Sequence, residues 1–263
     1  DLESTRPYFD ALRTEIKRIF RMAGGVESRY FFPGDDRPLD GTYAYLVITA
    51  DKGLAGMYNQ NVLREAKRLL DKHADAKLFV VGEYGRQYFA HHNVPIEKSF
   101  LYTAQNPTMH RAREISDTLL ELYDSGKIQE IFVVYTDMKN AIAEEVISTR
   151  LLPLHQQTFA SDHEDWALRT PFTFAPSVEI VLDTLIPSYI SGYIYSALVD
   201  SFCSEQNARM TAMRTANDNA EALLSSLSSD YHRLRQAEIT QEITEITAGA
   251  AAQRRNAKEA QIL

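Results

Sequence analysis

From Pro187 to Leu263 the chain carries no further proline, and before Gly249 its only glycine is Gly192. Proline and glycine are the residues that most effectively punctuate a helix. The stretch therefore predicts one continuous helix from about 178 or 187 to about 248, with Pro187 suited to an early turn. Such a helix has roughly 60–70 residues and a length on the order of 90–100 Å at 1.5 Å per residue, where the usual globular helix has ~11–12 residues. Its apolar positions form a near-heptad seam. Met213, Ala216, Ala220, Leu223, Leu227, Tyr231 and Leu234 fall three or four residues apart, and Ile239, Ile243, Ile246 and Ala250 continue it after one skip. A strict seven-residue repeat would impose a uniform left-handed supercoil, and departures change the local winding. Ala and Met in the seam, with Asn217, Asp218 and Asn219 beside it, set it apart from a simple Leu- and Ile-rich two-stranded zipper. A rod of this kind meets different surroundings along its length.

The first two thirds read differently. Residues 1–26 hold a short amphipathic helix, with Tyr8, Leu12, Ile16 and Ile19 on one stripe and Gly24 and Gly25 at its end. Residues 27–41, with Pro33, Gly34, Pro38 and Gly41, form an irregular connector. Residues 42–176 alternate strand-like and helix-like patterns. Strands are expected at 43–49, 77–81, 96–101 and 130–136, with an edge strand at 172–174. Helices are expected at 61–73, 84–91 and 112–123, and a further turn or two of helix at 140–147. Runs such as Ile131, Phe132, Val133 and Val134 are continuously apolar, as strands covered on both faces are. The alternation implies an α/β domain with a doubly wound, mostly parallel sheet, followed by the long helix at 177–252 and a tail at 253–263.

Composition narrows the function. One cysteine, Cys203, excludes an intrachain disulfide framework and any multi-cysteine metal site. The net charge of −8 argues against broad nucleic-acid binding, which needs clustered Lys and Arg. No apolar run approaches the ~20 residues of a membrane-spanning helix. The sequence has no phosphate-loop, dinucleotide, nucleophile-elbow or His-Glu-x-x-His signature. The most suggestive loop is Asp51-Lys52-Gly53-Leu54-Ala55-Gly56, between a strand and a helix. It reads as a tight turn, or alternatively as a loop whose N–H groups hold an anion. His91 and His92 read as a solvated helix end, Asp162-His163-Glu164-Asp165 as a polar loop, and Cys203 as a small buried residue. Arg233, Arg235 and Gln236 read as a solvated helix face.

Taken together, these segments resemble the γ subunit family of F-type ATP synthases over nearly the whole chain. Thr5-Arg6-Pro7-Tyr8 looks like the end of the family's N-terminal helix. The turn from Thr49 to Asn59 is similar to the family's Ser/Thr-Asp-Arg/Lys-Gly-Leu-Cys/Ala-Gly-Gly-x-Asn pattern, and Val134-Tyr135-Thr136 with Lys139 fits its central strand. The C-terminal match is the most specific. It comprises Ser204-Glu205-Gln206, Ala208-Arg209-Met210, Ala212-Met213, Asp218-Asn219-Ala220, Arg235-Gln236-Ala237 and Ile239-Thr240-Gln241-Glu242-Ile243-Thr244-Glu245-Ile246, in family order and spacing.

The resemblance implies a shaft made of an antiparallel coiled coil of the N- and C-terminal helices, with the α/β domain at its foot. It implies a non-catalytic central-stalk rotor that couples ion-driven rotation of the membrane c-ring to ATP synthesis or hydrolysis on a ring of α and β subunits. The implied partners are α, β, ε and the c-ring, with no cofactor, no metal and no nucleic acid. The implied place is the cytoplasmic face of a bacterial inner membrane, as part of a peripheral complex, with an organellar membrane as the second option. The ion-binding carboxylates lie in other subunits. Under this resemblance the 51–56 turn is structural. Arg235, Gln236 and Thr240 match a polar cluster that contacts the surrounding catalytic subunits, and Arg209 matches a further basic position of the same helix, to which the resemblance gives the same contact role.

Two departures stand out. The family's first helix begins several tens of residues before the equivalent of Thr5, so the seam is expected to lack most of its partner here. The full protein is then longer, or another chain covers the seam, or the rod frays or self-associates. Arg254, Arg255 and Lys258 in the tail read as solvated, or as a contact at the top of the ring. Two other classes stand beside the rotor: an α/β enzyme with a coiled-coil oligomerisation arm, and a coiled-coil scaffold unrelated to rotation.

Overall fold

A computed structural model describes residues 11, 14, 19, 29–32, 41–73, 75–101, 104–138, 144–154 and 177–259. Among the described residues five strands form one sheet: β1 (Tyr43–Ile48), β2 (Lys77–Val81), β3 (Lys98–Phe100), β4 (Glu130–Met138) and β5 (Glu144–Leu152). The helices are α1 (Tyr58–Leu70), α2 (Glu83–His91), α3 (Met109–Asp124) and α4 (Val178–Glu259). The strand order is β3-β2-β1-β4-β5. The first four strands run parallel, and β5 runs antiparallel to β4.

The period-two alternation of each central strand explains the two-sided covering. Tyr45, Val47, Leu78, Val80 and Val134 face α1 and α2, where Val62, Leu63, Ala66 and Phe89 complete one cluster. The intervening residues Ala44, Leu46, Ile48, Phe79, Val81, Ile131 and Val133 face the other way. They share a larger cluster with Ile115 and Leu119 of α3 and with Leu182, Ile186, Ile190 and Ile194 of α4. Both faces are buried, as the continuous apolar runs required. At about 1.5–3 kcal/mol for each fully buried aliphatic side chain, this two-faced core is the main source of the domain's stability.

The structure departs from the sequence reading at three places. The turn or two of helix expected at 140–147 gives way from Glu144 onward to strand β5, which pairs with β4 from Met138↔Glu144 to Ile131↔Leu152. Ala141, Ala143, Glu144 and Glu145 favour helix locally, but pairing with β4 overrides that preference, and Val146, Ile147 and Thr149 suit a pleated strand. The second departure concerns Pro187: of the two expected helix starts the structure has 178, so the proline lies inside α4 rather than in an early turn. The spacing of four between Leu182, Ile186, Ile190 and Ile194, all fully buried, carries the helix through the proline by packing. Third, α4 runs past Gly249 to Glu259, because the flanking Ala248, Ala250, Ala251 and Ala252 are strong helix formers.

Of the expected N-terminal helix, residues 11, 14 and 19 are helical, and Ile19 is buried in the cluster that contains Ile190. The rest of segment 1–26, its coiled-coil pairing with α4 and the edge strand expected at 172–174 lie outside the described residues. The chain divides into two compact units, Asp1–Thr211 and Ala212–Leu263. No helix among the described residues is long and apolar enough to cross a membrane.

Candidate functional site

In a doubly wound sheet the natural ligand crevice lies at the carboxyl ends of the strands, where the strand order reverses. Here that point is beside β1, and the 51–56 loop follows it directly. The loop is fixed from below. Thr49 donates its Oγ1 hydrogen to the Val81 carbonyl at 2.8 Å and accepts from the Gly85 N–H at 3.0 Å. The Tyr84 N–H donates to the Ala50 carbonyl at 3.1 Å. Asp51 Oδ1 accepts from the Glu83 N–H at 2.9 Å, which satisfies one of the orphan donors at the start of α2. Gly82, with φ +95°, places its backbone against the Thr49 and Ala50 carbonyls, where no side chain fits.

Asn59, in the first turn of α1, holds the loop from the other side. Its Oδ1 accepts from the Ala50 N–H at 3.0 Å, and its Nδ2 donates to the Lys52 carbonyl at 3.3 Å. The chain then makes two left-handed residues, Leu54 at φ 63° and Gly56 at φ 53°. The Leu54 side chain is 81% exposed at the tip. Ala50, Ala55 and Tyr58 form a small buried cluster against which Ala208 of α4 packs.

Arg209, one helical residue after Ala208, lies over the loop. Its Nη2 donates to the Gly53 carbonyl at 3.3 Å and the Lys52 carbonyl at 3.5 Å. Its Nη1 is 2.6 Å from Glu205 Oε1, one turn back on α4. Burial pushes the Glu205 carboxyl above its ordinary pKa, and nearby Asp51 adds to the rise; the Arg209 guanidinium opposes both without cancelling them. The loop thus turns carbonyl oxygens toward a cation. That polarity is opposite to an anion cradle, which needs converging N–H groups.

The remaining matched residues lie in the second unit, on α4. Arg235, Gln236 and Thr240 are all exposed. Gln236 and Thr240 are one turn apart on one face, and Thr240 Oγ1 donates to the Gln236 carbonyl at 2.7 Å. Thr244 repeats this on Thr240 at 2.7 Å. The Arg235 guanidinium and the Gln236 amide have no hydrogen-bond partner among the described residues. Neighbouring Arg233 pairs with Asp230 at 3.1 Å on the surface. The whole apolar seam is uncovered: Met213, Leu223, Leu227, Tyr231, Leu234, Ile239, Ile243 and Ile246 are exposed.

His91 and His92 are exposed at the end of α2, Cys203 is a half-buried free thiol, and residues 162–165 lie outside the described residues. Among the described residues no cluster of His, Cys, Asp and Glu could hold a metal. Sequence reasoning missed the tie between Arg209 and the 52–53 carbonyls. The Glu205–Arg209 spacing of four was a legible helix ion pair, but nothing local points it at a loop 156 residues away.

Comparison with known proteins agrees with this architecture. The family model described as ATP synthase matches residues 1–253. An ATP synthase gamma chain from Ruminiclostridium cellulolyticum is 41% identical over 254 residues, covering 95% of this chain and 86% of the relative. One from Caldanaerobacter subterraneus subsp. tengcongensis is 41% identical over 259 residues, covering 95% and 87%. The fold is similar to a chain in the central stalk and c-ring structure of the Tetrahymena thermophila mitochondrial ATP synthase, with a TM-score of 0.59, 24% identity and coverage of 82% and 94%. The chain belongs to the ATP synthase gamma chain family.

Proposed function

We propose that this chain is the non-catalytic central-stalk rotor subunit of an F-type ATP synthase. In that role it couples ion-driven rotation of a membrane c-ring to ATP synthesis or hydrolysis on a ring of α and β subunits. The observation that carries the reading is the 41% identity to gamma chains across 95% of the sequence. The apolar seam along the second unit supports it, since a near-heptad seam on a long helix is one side of a coiled coil, the form of a shaft. The partners are α, β, ε and the c-ring. The complex is peripheral to a membrane, at the cytoplasmic face of a bacterial inner membrane.

The coupling follows from differential contact. A helix surface that differs around its circumference meets each of three surrounding β subunits with a different set of side chains. Each set favours a different β conformation and hence a different nucleotide affinity, which is what energetic coupling between partners requires. Rotation permutes the sets. Arg235, Gln236 and Thr240 supply polar contacts for this exchange: a guanidinium and an amide whose hydrogen-bonding capacity is unspent within the helix. Residues 1–26 serve as the shorter shaft helix, residues 42–176 as the α/β domain and α4 as the main shaft helix, with the connector at 27–41 joining the first two.

Co-expression with α and β subunits tests the reading. The expected outcome is a stoichiometric complex that hydrolyses ATP and rotates, while the isolated chain binds no nucleotide. Tight stoichiometric nucleotide binding to the isolated chain, or failure to join α and β, would count against it.

A further inference from the structure

We infer that Arg209 is a positioning residue. It acts through the 51–56 loop, as an internal latch, rather than by direct contact with a surrounding subunit. The inference rests on the rotor reading for its effect on coupling, but the latch itself is a property of this chain.

Three observations carry it. First, the Arg209 side chain is only 18% exposed, and both Nη atoms are engaged within the domain, one by Glu205 Oε1 and the other by the Lys52 and Gly53 carbonyls. Second, the acceptors are the two carbonyls immediately before Leu54. That residue is a non-glycine held at φ 63°, a conformation that persists only when its surroundings over-determine it. Asn59 reaches the same Lys52 carbonyl from the opposite side, so the loop is gripped between α1 and α4. Third, Glu205 is buried, and its position one turn before Arg209 fixes the guanidinium in place. The fork geometry matters. A guanidinium addresses a carboxylate and a pair of carbonyls at once, whereas an ammonium is a point charge on a flexible stem.

Two variants test the latch in the full chain. Arg209→Lys keeps the charge and loses the fork. The double variant Glu205→Gln with Arg209→Met removes both charges together, so no unpaired ion is left in the interior. In the full chain, amide hydrogen exchange at Ala50, Tyr58 and Glu83, whose N–H groups are held by Asn59 Oδ1, the Ala55 carbonyl and Asp51 Oδ1, is expected to rise about tenfold in both, the loss of one charge-assisted hydrogen bond. Exchange in β1 and β4 stays unchanged. In the complex assembled with α and β and reconstituted with the membrane ring, Arg209→Lys is expected to lower ion pumping per ATP hydrolysed.

Unchanged exchange at Ala50, Tyr58 and Glu83 overturns the latch. A loss of coupling with unchanged loop exchange also overturns it, and assigns Arg209 a direct contact instead. If the wild-type chain does not assemble at all, the rotor reading fails, while the exchange result still decides the latch.

Discussion

Residues 178–205 and 213–246 of α4 obey the same rules of helix formation and meet opposite surroundings. In the first stretch Leu182, Ile186, Ile190 and Ile194 are sealed against the sheet, together with Ala197 and Leu198. In the second, every large apolar side chain of the seam is exposed; Leu227, for example, shows 56% of its surface. The hydrogen-bonded backbone is the same in both. What differs is whether another element of the chain covers the apolar face. Helicity is thus a local property, read from the absence of breakers and the strength of the formers. Burial is a tertiary one. The first stretch roots the helix in a fold; the second leaves its apolar face exposed among the described residues.

The comparison can be broken most directly by placing a charge on each side. Ile190→Asp buries an unpaired carboxylate and is expected to destabilise the first unit by about 4 kcal/mol or more. Leu227→Asp, on the exposed seam, is expected to change the stability of the isolated chain by no more than about 0.5 kcal/mol. Denaturant midpoints of the two variants decide the matter, and equal shifts would erase the distinction.

Two glycines sharpen it next. Gly82→Ala forces a Cβ into the Thr49 and Ala50 carbonyls at a positive φ, and a loss of about 2 kcal/mol is expected. At Gly249 in the exposed half, an added Cβ meets nothing within 4 Å. Gly249→Ala is therefore expected to raise helix stability by about 0.5–1 kcal/mol. Thermal unfolding with a probe in each unit reads the two opposite signs.

The contact face gives a third contrast, in function rather than stability. Arg235→Ala with Gln236→Ala is expected to leave the fold intact, because both residues are exposed, and to weaken coupling or assembly. Unchanged assembly and ATP-driven rotation would remove these residues from the interface.

The smallest effect concerns pH. Burial raises the Glu205 carboxyl, so in the window above the ordinary carboxylate range the folded state binds more protons than the unfolded state. The contribution of this group is fully present at low pH and declines as pH rises through the raised value. Glu205→Gln should flatten that decline above the ordinary carboxylate range. A steeper decline in the Glu205 variant would reverse the assignment.

Much of this was legible in the residues. The apolar runs of β1, β2 and β4 announced strands with both faces covered, and the breaker-free C-terminal third announced α4. Strand β5 was not legible, because Ala143, Glu144 and Glu145 prefer helix until β4 supplies a pairing edge. The 51–56 turn was visible as a motif. Its grip was not, since Asp51, Asn59, Glu83 and Arg209 converge only when three elements pack. The exposed positions Arg235, Gln236 and Thr240 came from family resemblance, since a polar residue on a solvated helix face carries no mark of its own.

The ends of the sheet have a consequence for the chain before it finds its partners. A strand edge is a template for further pairing, and a newly made subunit waiting to assemble is exposed to that hazard. At one end β3 spans only three residues, with the Lys98 ammonium folded over the Phe100 ring at 5.1 Å. At the other, β5 reverses direction and carries Glu144, Glu145 and Arg150. Among the described residues one margin is short and the other reverses direction and bears charge, two devices that discourage a neighbouring strand.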